Sequence, residues 1–146
     1  MYTNERRTAR VRRSRDSVAL HSGLKDLLIL KTARSAFSGF ARDRFTTLPE
    51  TNDRLLATSL TAEWTHEAPG GPFAGRWEAV RRTLLDTFSA HDSASVQHTI
   101  YAMGEAAIGA HRGLAEIRLT MPNRHHLLVD LAPFGLTNEN EIFVAT

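Results

Sequence analysis

The stretch Met121-Pro122-Asn123-Arg124-His125-His126 opens onto the apolar run Leu127-Leu128-Val129. Histidine changes charge near neutral pH, so it suits proton transfer as readily as metal ligation. Asn123 and His125 are two residues apart, and on a continuous strand they share one face while His126 points to the other. Two histidines on opposite faces cannot chelate one ion, although either could join ligands from elsewhere. The chain has no cysteine, so a metal would have to be held by histidine and carboxylates alone. The spacing weakens a metal site built from the adjacent pair, and a histidine is better suited to moving protons.

Three other places carry suitable groups. Arg54 follows a long irregular stretch, where its guanidinium fork could clamp a planar anion in bidentate fashion, against the plainer role of a surface salt bridge. Val96 and Gln97 would open a helix, whose first N–H groups and dipole favour an anion, and the glutamine amide offers a donor and an acceptor to a planar heterocycle, against the plainer role of an ordinary first-turn polar residue. Phe37 and Phe40, in Ser35-Ala36-Phe37-Ser38-Gly39-Phe40, could stack on a ligand or plug the core. No nucleophile elbow, phosphate-binding Gly-Lys loop, dinucleotide fingerprint or His-Glu-x-x-His helix is present.

The elements that must position these groups follow from periodicity. Residues 8–13 and 17–31 read as two strands joined by the turn Ser14-Arg15-Asp16, a hairpin. Residues 32–52 show no sustained period and predict a long ordered loop of the kind that carries function. Over residues 53–66, Leu56, Thr58, Leu60, Ala62 and Trp64 alternate as in a strand. Trp77, Val80, Leu84 and Phe88 make one helical stripe over residues 75–90. Val96, Ile100, Met103, Ala107 and Ala110 make another over 96–110, after the cap-rich Asp92-Ser93-Ala94-Ser95. Ile117, Leu119 and Met121 alternate again, a further strand is expected over 125–131, and a short one over 141–145. Strands, a helix pair and strands predict an α+β architecture, an antiparallel sheet with the two helices on one face.

With 146 residues, 42% hydrophobic and 23% charged, the chain is the size of one folded domain. Its apolar runs are too short to span a bilayer and no leader with a cleavage site opens it, so a cytoplasmic location without membrane contact is expected. Arg6, Arg7, Arg10, Arg12, Arg13 and Arg15 crowd the start. They alternate with Thr8, Ala9 and Val11 and lack aromatic neighbours beyond Tyr2, which suits a solvated strand face better than a nucleic-acid platform.

Taken together, the segments resemble urate oxidase (uricase). The matching stretches are Ser22-Gly23-Leu24-Lys25-Asp26-Leu27 with Leu30-Lys31; Phe37-Ser38-Gly39-Phe40 with Arg42-Asp43; and Thr46-Thr47-Leu48-Pro49-Glu50-Thr51 with Asp53-Arg54. Ser95-Val96-Gln97-His98-Thr99 and the run from Leu119 through Pro122-Asn123-Arg124-His125-His126 to Asp130-Leu131 continue the match. So do Pro133-Phe134-Gly135-Leu136 and Asn140-Glu141. The likeness covers nearly the whole chain in the right order.

The resemblance implies a tunnelling fold (T-fold), built in the family from two tandem strand-strand-helix-helix-strand-strand units that assemble into a barrel-like tetramer. Residues 1–16 would be a remnant of the first unit and residues 17–146 the second. It implies that Phe37 stacks on urate, Arg54 and Gln97 grip it, Val96 and Leu48 line the pocket, Asn123 holds dioxygen or the attacking water, and His125 joins the proton relay. The implied reaction is oxidation of urate by dioxygen to 5-hydroxyisourate and hydrogen peroxide, without cofactor. In the family the site lies between subunits, and its other half, including a Lys-Thr pair and an Asp, comes from the N-terminal unit. Neither Lys25 nor Lys31 matches that lysine. A homo-oligomer, or a partner supplying the N-terminal unit, is therefore expected. A non-catalytic purine-binding or assembly module is the alternative.

Overall fold

Arginine-rich alternation at the start of the chain produces an edge strand. In the computed structural model, which describes residues 4–47 and 49–146, β1 (Arg6–Arg13) pairs antiparallel with β2 (Val18–Lys31) through the tight turn at Ser14 to Ser17. All but one of the β1 residues are exposed. Arg6 reaches Asp26 and Arg10 reaches Glu63, while Arg7 lies 4.9 Å from the centre of the Trp77 ring. Such exposed pairs contribute about 0–1 kcal/mol each, so they orient the strand more than they stabilise it.

β2 pairs antiparallel with β3 (Leu56–His66), and the register slips between Leu24 and Leu27, where Asp26 adopts φ 60°. β3 alternates buried and half-buried positions because one face meets the helices: Leu60, Trp64 and Thr58 have no exposed surface. α1 (Phe73–Ala90) buries Trp77, Val80, Leu84 and Phe88, the stripe expected from its spacing. α2 (Val96–Ala110) follows, and then β4 (Leu114–Thr120) pairs with the other edge of β3. The sheet order is β1-β2-β3-β4.

A single core joins Leu24, Leu27, Leu56, Leu60 and Trp64 of the sheet to the α1 stripe and to Met103 and Ala107 of α2. Each leucine wholly removed from water there contributes roughly 1.5–3 kcal/mol. At Gly23 the layers approach closely: the Trp77 indole donates to the Gly23 carbonyl at 2.8 Å, and a Cβ on Gly23 would overlap the Ala62 carbonyl oxygen.

Two details depart from the expected pattern. In α2 the buried positions are Thr99, Met103 and Ala107, and Ala110 is exposed. Thr99 tolerates burial because its hydroxyl donates to Ser93 Oγ at 2.8 Å and is also 3.1 Å from the Ser95 carbonyl. The strand expected over 125–131 is two short pieces. β5 (Asn123–Arg124) joins the main sheet beside β3, and β6 (His126–Leu128) pairs instead with β7 (Phe143–Ala145), beyond a 3-10 turn at Ala132–Phe134. His125 is the residue at which the chain leaves one sheet for the other. No helix among the described residues is long and apolar enough to cross a membrane.

Candidate functional site

The long loop before β3 is ordered by backbone hydrogen bonds on both sides. Phe37 and Thr51 exchange N–H···O bonds of 2.7 and 3.0 Å, which closes the loop on itself. On the other side, Ala36 N donates to Ser93 O at 2.7 Å, Ser93 N to Arg34 O at 3.0 Å and Ser38 N to Ala94 O at 3.2 Å. The Phe37 segment is thus stitched to the residues that lead into α2. Gly39, at φ 70°, turns the chain where an L side chain would be strained, and its N–H donates to Glu50 Oε1 at 3.0 Å.

α2 begins where a serine can cap it. Ser95 has extended dihedrals and its side chain accepts from His98 N at 3.1 Å. Val96 and Gln97 are the first two helical residues, and the N–H groups of a first turn have no acceptor within the helix. Gln97 is exposed and Val96 is half-buried against the core. The hydroxyls of Ser93 and Thr99 brace this corner from beneath.

Arg54 is half-buried on the approach to β3. Its backbone N–H donates to Ser35 O at 3.0 Å and its Nε to Ala36 O at 2.9 Å, so the stem is anchored in the same loop. Its Cζ lies 5.4 Å from the centre of the Phe37 ring, and Phe37 is stacked on Phe40 with centroids 4.4 Å apart. Arg54 Nη2 is buried and has no hydrogen-bond partner among the described residues. Burial pushes its pKa down, yet a guanidinium stays charged at neutral pH. A desolvated cation with an unpaired N–H is costly, and a planar anion presenting an acceptor relieves that cost.

Asn123 and His125 form a second group. Asn123 Nδ2 lies 3.3 Å from His125 Nδ1, an amide donor against a ring nitrogen. The shared face expected for a continuous strand is therefore reached although the strand breaks at His125. His126 turns away, its Nδ1 donating to the Arg124 carbonyl at 3.1 Å. Among the described residues, no group of three or more His, Asp or Glu could hold a metal ion.

Phe37 and Arg54 are thus in contact, the α2 start that bears Val96 and Gln97 is bound to their loop, and Asn123 touches His125. The two groups are linked through β3: Arg54 leads into it, and Thr58 is the register partner of Asn123. Leu48 lies outside the described residues. Sequence reasoning assigns no role at the site to Thr58, Ser35 or Lys31. Thr58 does leave a signal, as the one polar residue on the apolar stripe Leu56 to Trp64.

A family model described as Uricase matches residues 20–146. The chain is 43% identical over 142 residues to a uricase of Arthrobacter globiformis, covering 97% of this chain and 47% of that one. A Danio rerio uricase is 38% identical over 130 residues, 86% of this chain and 44% of the relative. A crystal structure of the Arthrobacter globiformis uricase superposes with a TM-score of 0.95 at 42% identity, over 99% of this chain and 50% of that one. The chain spans about half the length of the curated relatives it matches.

Proposed function

The chain belongs to the uricase family, with its α+β tunnelling fold, and we propose from this that it carries one side of a urate site. The single observation that supports the site most is Arg54: a buried guanidinium nitrogen without a partner among the described residues, beside an aromatic ring and a loop bound to a helix start. Urate is a planar anion near neutral pH, and a cation, an amide and an aromatic face suit it. In this reading Arg54 and Gln97 hold the purine edge, Phe37 stacks on its face, and Val96 and Leu48 line the pocket.

The reaction is oxidation of urate by dioxygen and water to 5-hydroxyisourate and hydrogen peroxide, with no cofactor. Asn123 positions dioxygen or the attacking water, and His125 moves protons. His125 is suited to this because an imidazole has one nitrogen that donates and one that accepts, and it contacts the Asn123 amide.

Residues 1–16 are the end of a first fold unit and residues 17–146 the second. The remaining groups of the site, a Lys-Thr pair and an Asp, come from an N-terminal unit on a partner, within a homo-oligomer or a mixed assembly in the cytoplasm. Among the described residues β1 and β4 are the outer strands of the sheet, and unpaired strand edges favour such assembly.

The test is to follow urate absorbance and peroxide with the purified chain, alone and with an N-terminal unit added. Turnover is expected only with both. Turnover by the chain alone would refute the need for a partner. Calorimetric binding of urate without turnover in either mixture would leave a purine-binding module, and no binding at all would sink the site.

A further inference from the structure

Thr58 has no surface exposed to solvent, and its Oγ1 has no hydrogen-bond partner among the described residues. A threonine suits a strand for its branched side chain, but a valine fills the same volume without burying a hydroxyl. An unpaired buried hydroxyl costs about 1–3 kcal/mol, so it calls for a specific partner.

The register supplies one. Thr58 is paired across β2 with Ile29, which is apolar, and across β5 with Asn123. Residues directly opposite in an antiparallel pair project to the same face with Cβ atoms about 4.5–5.5 Å apart. Asn123 Oδ1 is also buried and also without a partner among the described residues. The carboxamide oxygen accepts only, whereas the threonine hydroxyl can donate, so the two are chemically matched. Neither atom bonds the other directly, so the link runs through one bridging water that accepts from the Thr58 hydroxyl and donates to Oδ1.

We propose that Thr58 is a positioning residue: its hydroxyl fixes Asn123 Oδ1 and thereby aims Asn123 Nδ2 at His125. An amide can rotate by half a turn about its last bond, exchanging oxygen for nitrogen. Holding the oxygen against Thr58 leaves only the orientation in which the nitrogen meets the His125 ring, as its 3.3 Å separation requires. The consequence for catalysis rests on the urate-site reading, but the coupling of Thr58 to Asn123 does not.

Two variants and the unaltered protein test this. T58V removes the hydroxyl at constant volume and T58S keeps it. By NMR, the Asn123 side-chain amide protons are expected to show cross-relaxation with the His125 ring in the unaltered chain and in T58S, and none in T58V. Persistence of that cross-relaxation in T58V would overturn the proposal. Should T58V not fold, a crystal structure of the unaltered chain decides: Oγ1 of Thr58 must lie within hydrogen-bond distance of one water shared with Asn123 Oδ1, and a bond to any other group overturns it. Where urate turnover is reconstituted, T58V is expected to lower kcat about tenfold with KM little changed, and T58S to recover it. If the unaltered chain binds no urate while T58V still abolishes the cross-relaxation, the urate site fails and this coupling stands.

Discussion

The guanidinium carbon of Arg54 sits 5.4 Å from the centre of the Phe37 ring, and the backbone on which each depends is the same loop. Arg54 Nε is bound to the carbonyl of Ala36, the residue before Phe37, so the fork and the ring cannot move independently. Replacing Arg54 by Gln is expected to weaken urate binding by about a hundredfold, the scale of a charge-assisted pair. Replacing it by Lys should recover little, because a point charge cannot reproduce the fork. Calorimetry reads both, and an R54Q chain that binds urate as the unaltered one does would remove Arg54 from the site.

The α2 cap ties stability to binding. Ser95→Ala removes the acceptor for His98 N and is expected to cost about 1 kcal/mol in urea unfolding. Because Val96 and Gln97 follow this cap, urate affinity should fall in the same variant. A stability loss with unchanged affinity would separate the helix start from the site.

Ser22 and His66 set a pH dependence. His66 is buried, its Nε2 is 2.9 Å from Ser22 Oγ, and its pKa is lowered by burial first and then by Arg76 and His21. The unfolded chain therefore binds the proton more readily than the folded one between the ordinary histidine value and the lower folded one. The stability from neutral His66 is present above about pH 6.5 and lost as pH falls through that window. His91 shifts in the same direction, mainly through burial. Melting temperature should drop on acidification from about pH 7.5 towards about pH 5, and less steeply in His66→Gln. An identical slope in that variant would contradict this role.

The expected alternation over Leu56 to Trp64 and the stripe Trp77, Val80, Leu84 and Phe88 recur as the two faces of the core. These are legible in the sequence because each residue's environment is set by its own strand or helix period. The pairing of Arg54 with Phe37 and the break at His125 are not. The first depends on hydrogen bonds from Arg54 to the carbonyls of Ser35 and Ala36 across an irregular loop with no period of its own, and the second on competition between two partners, β3 and β7, for one short segment. Asn123 and His125 come together for a reason that strand parity alone does not supply.

Gly23 tests the sheet itself. Its position admits no side chain, because a Cβ there would overlap Ala62 O and lie 2.8 Å from Thr8 Oγ1. Gly23→Ala is expected to cost roughly 3 kcal/mol, because the obstacle is backbone of the neighbouring strand. A melting temperature close to that of the unaltered protein would show that β2 and β3 part more easily than their packing suggests.

Lys31 closes the other end of the core. It is buried, and its ammonium donates to the Ser89 carbonyl at 2.7 Å and the Phe88 carbonyl at 3.2 Å, the last turn of α1. Lys31→Met keeps much of the stem and abandons both carbonyls, and a loss of about 1–3 kcal/mol is expected in chemical denaturation.

At the change of sheets, the carbonyl of His125 accepts from the backbone N–H of Thr146 at 3.0 Å. Thr146 thus holds the main chain of the histidine that faces Asn123, and β6 begins at the very next position. The terminal hairpin is in effect a handle on that imidazole. A displacement of the backbone at Thr146 acts directly on it, whereas one in β1 acts at the far edge of the sheet.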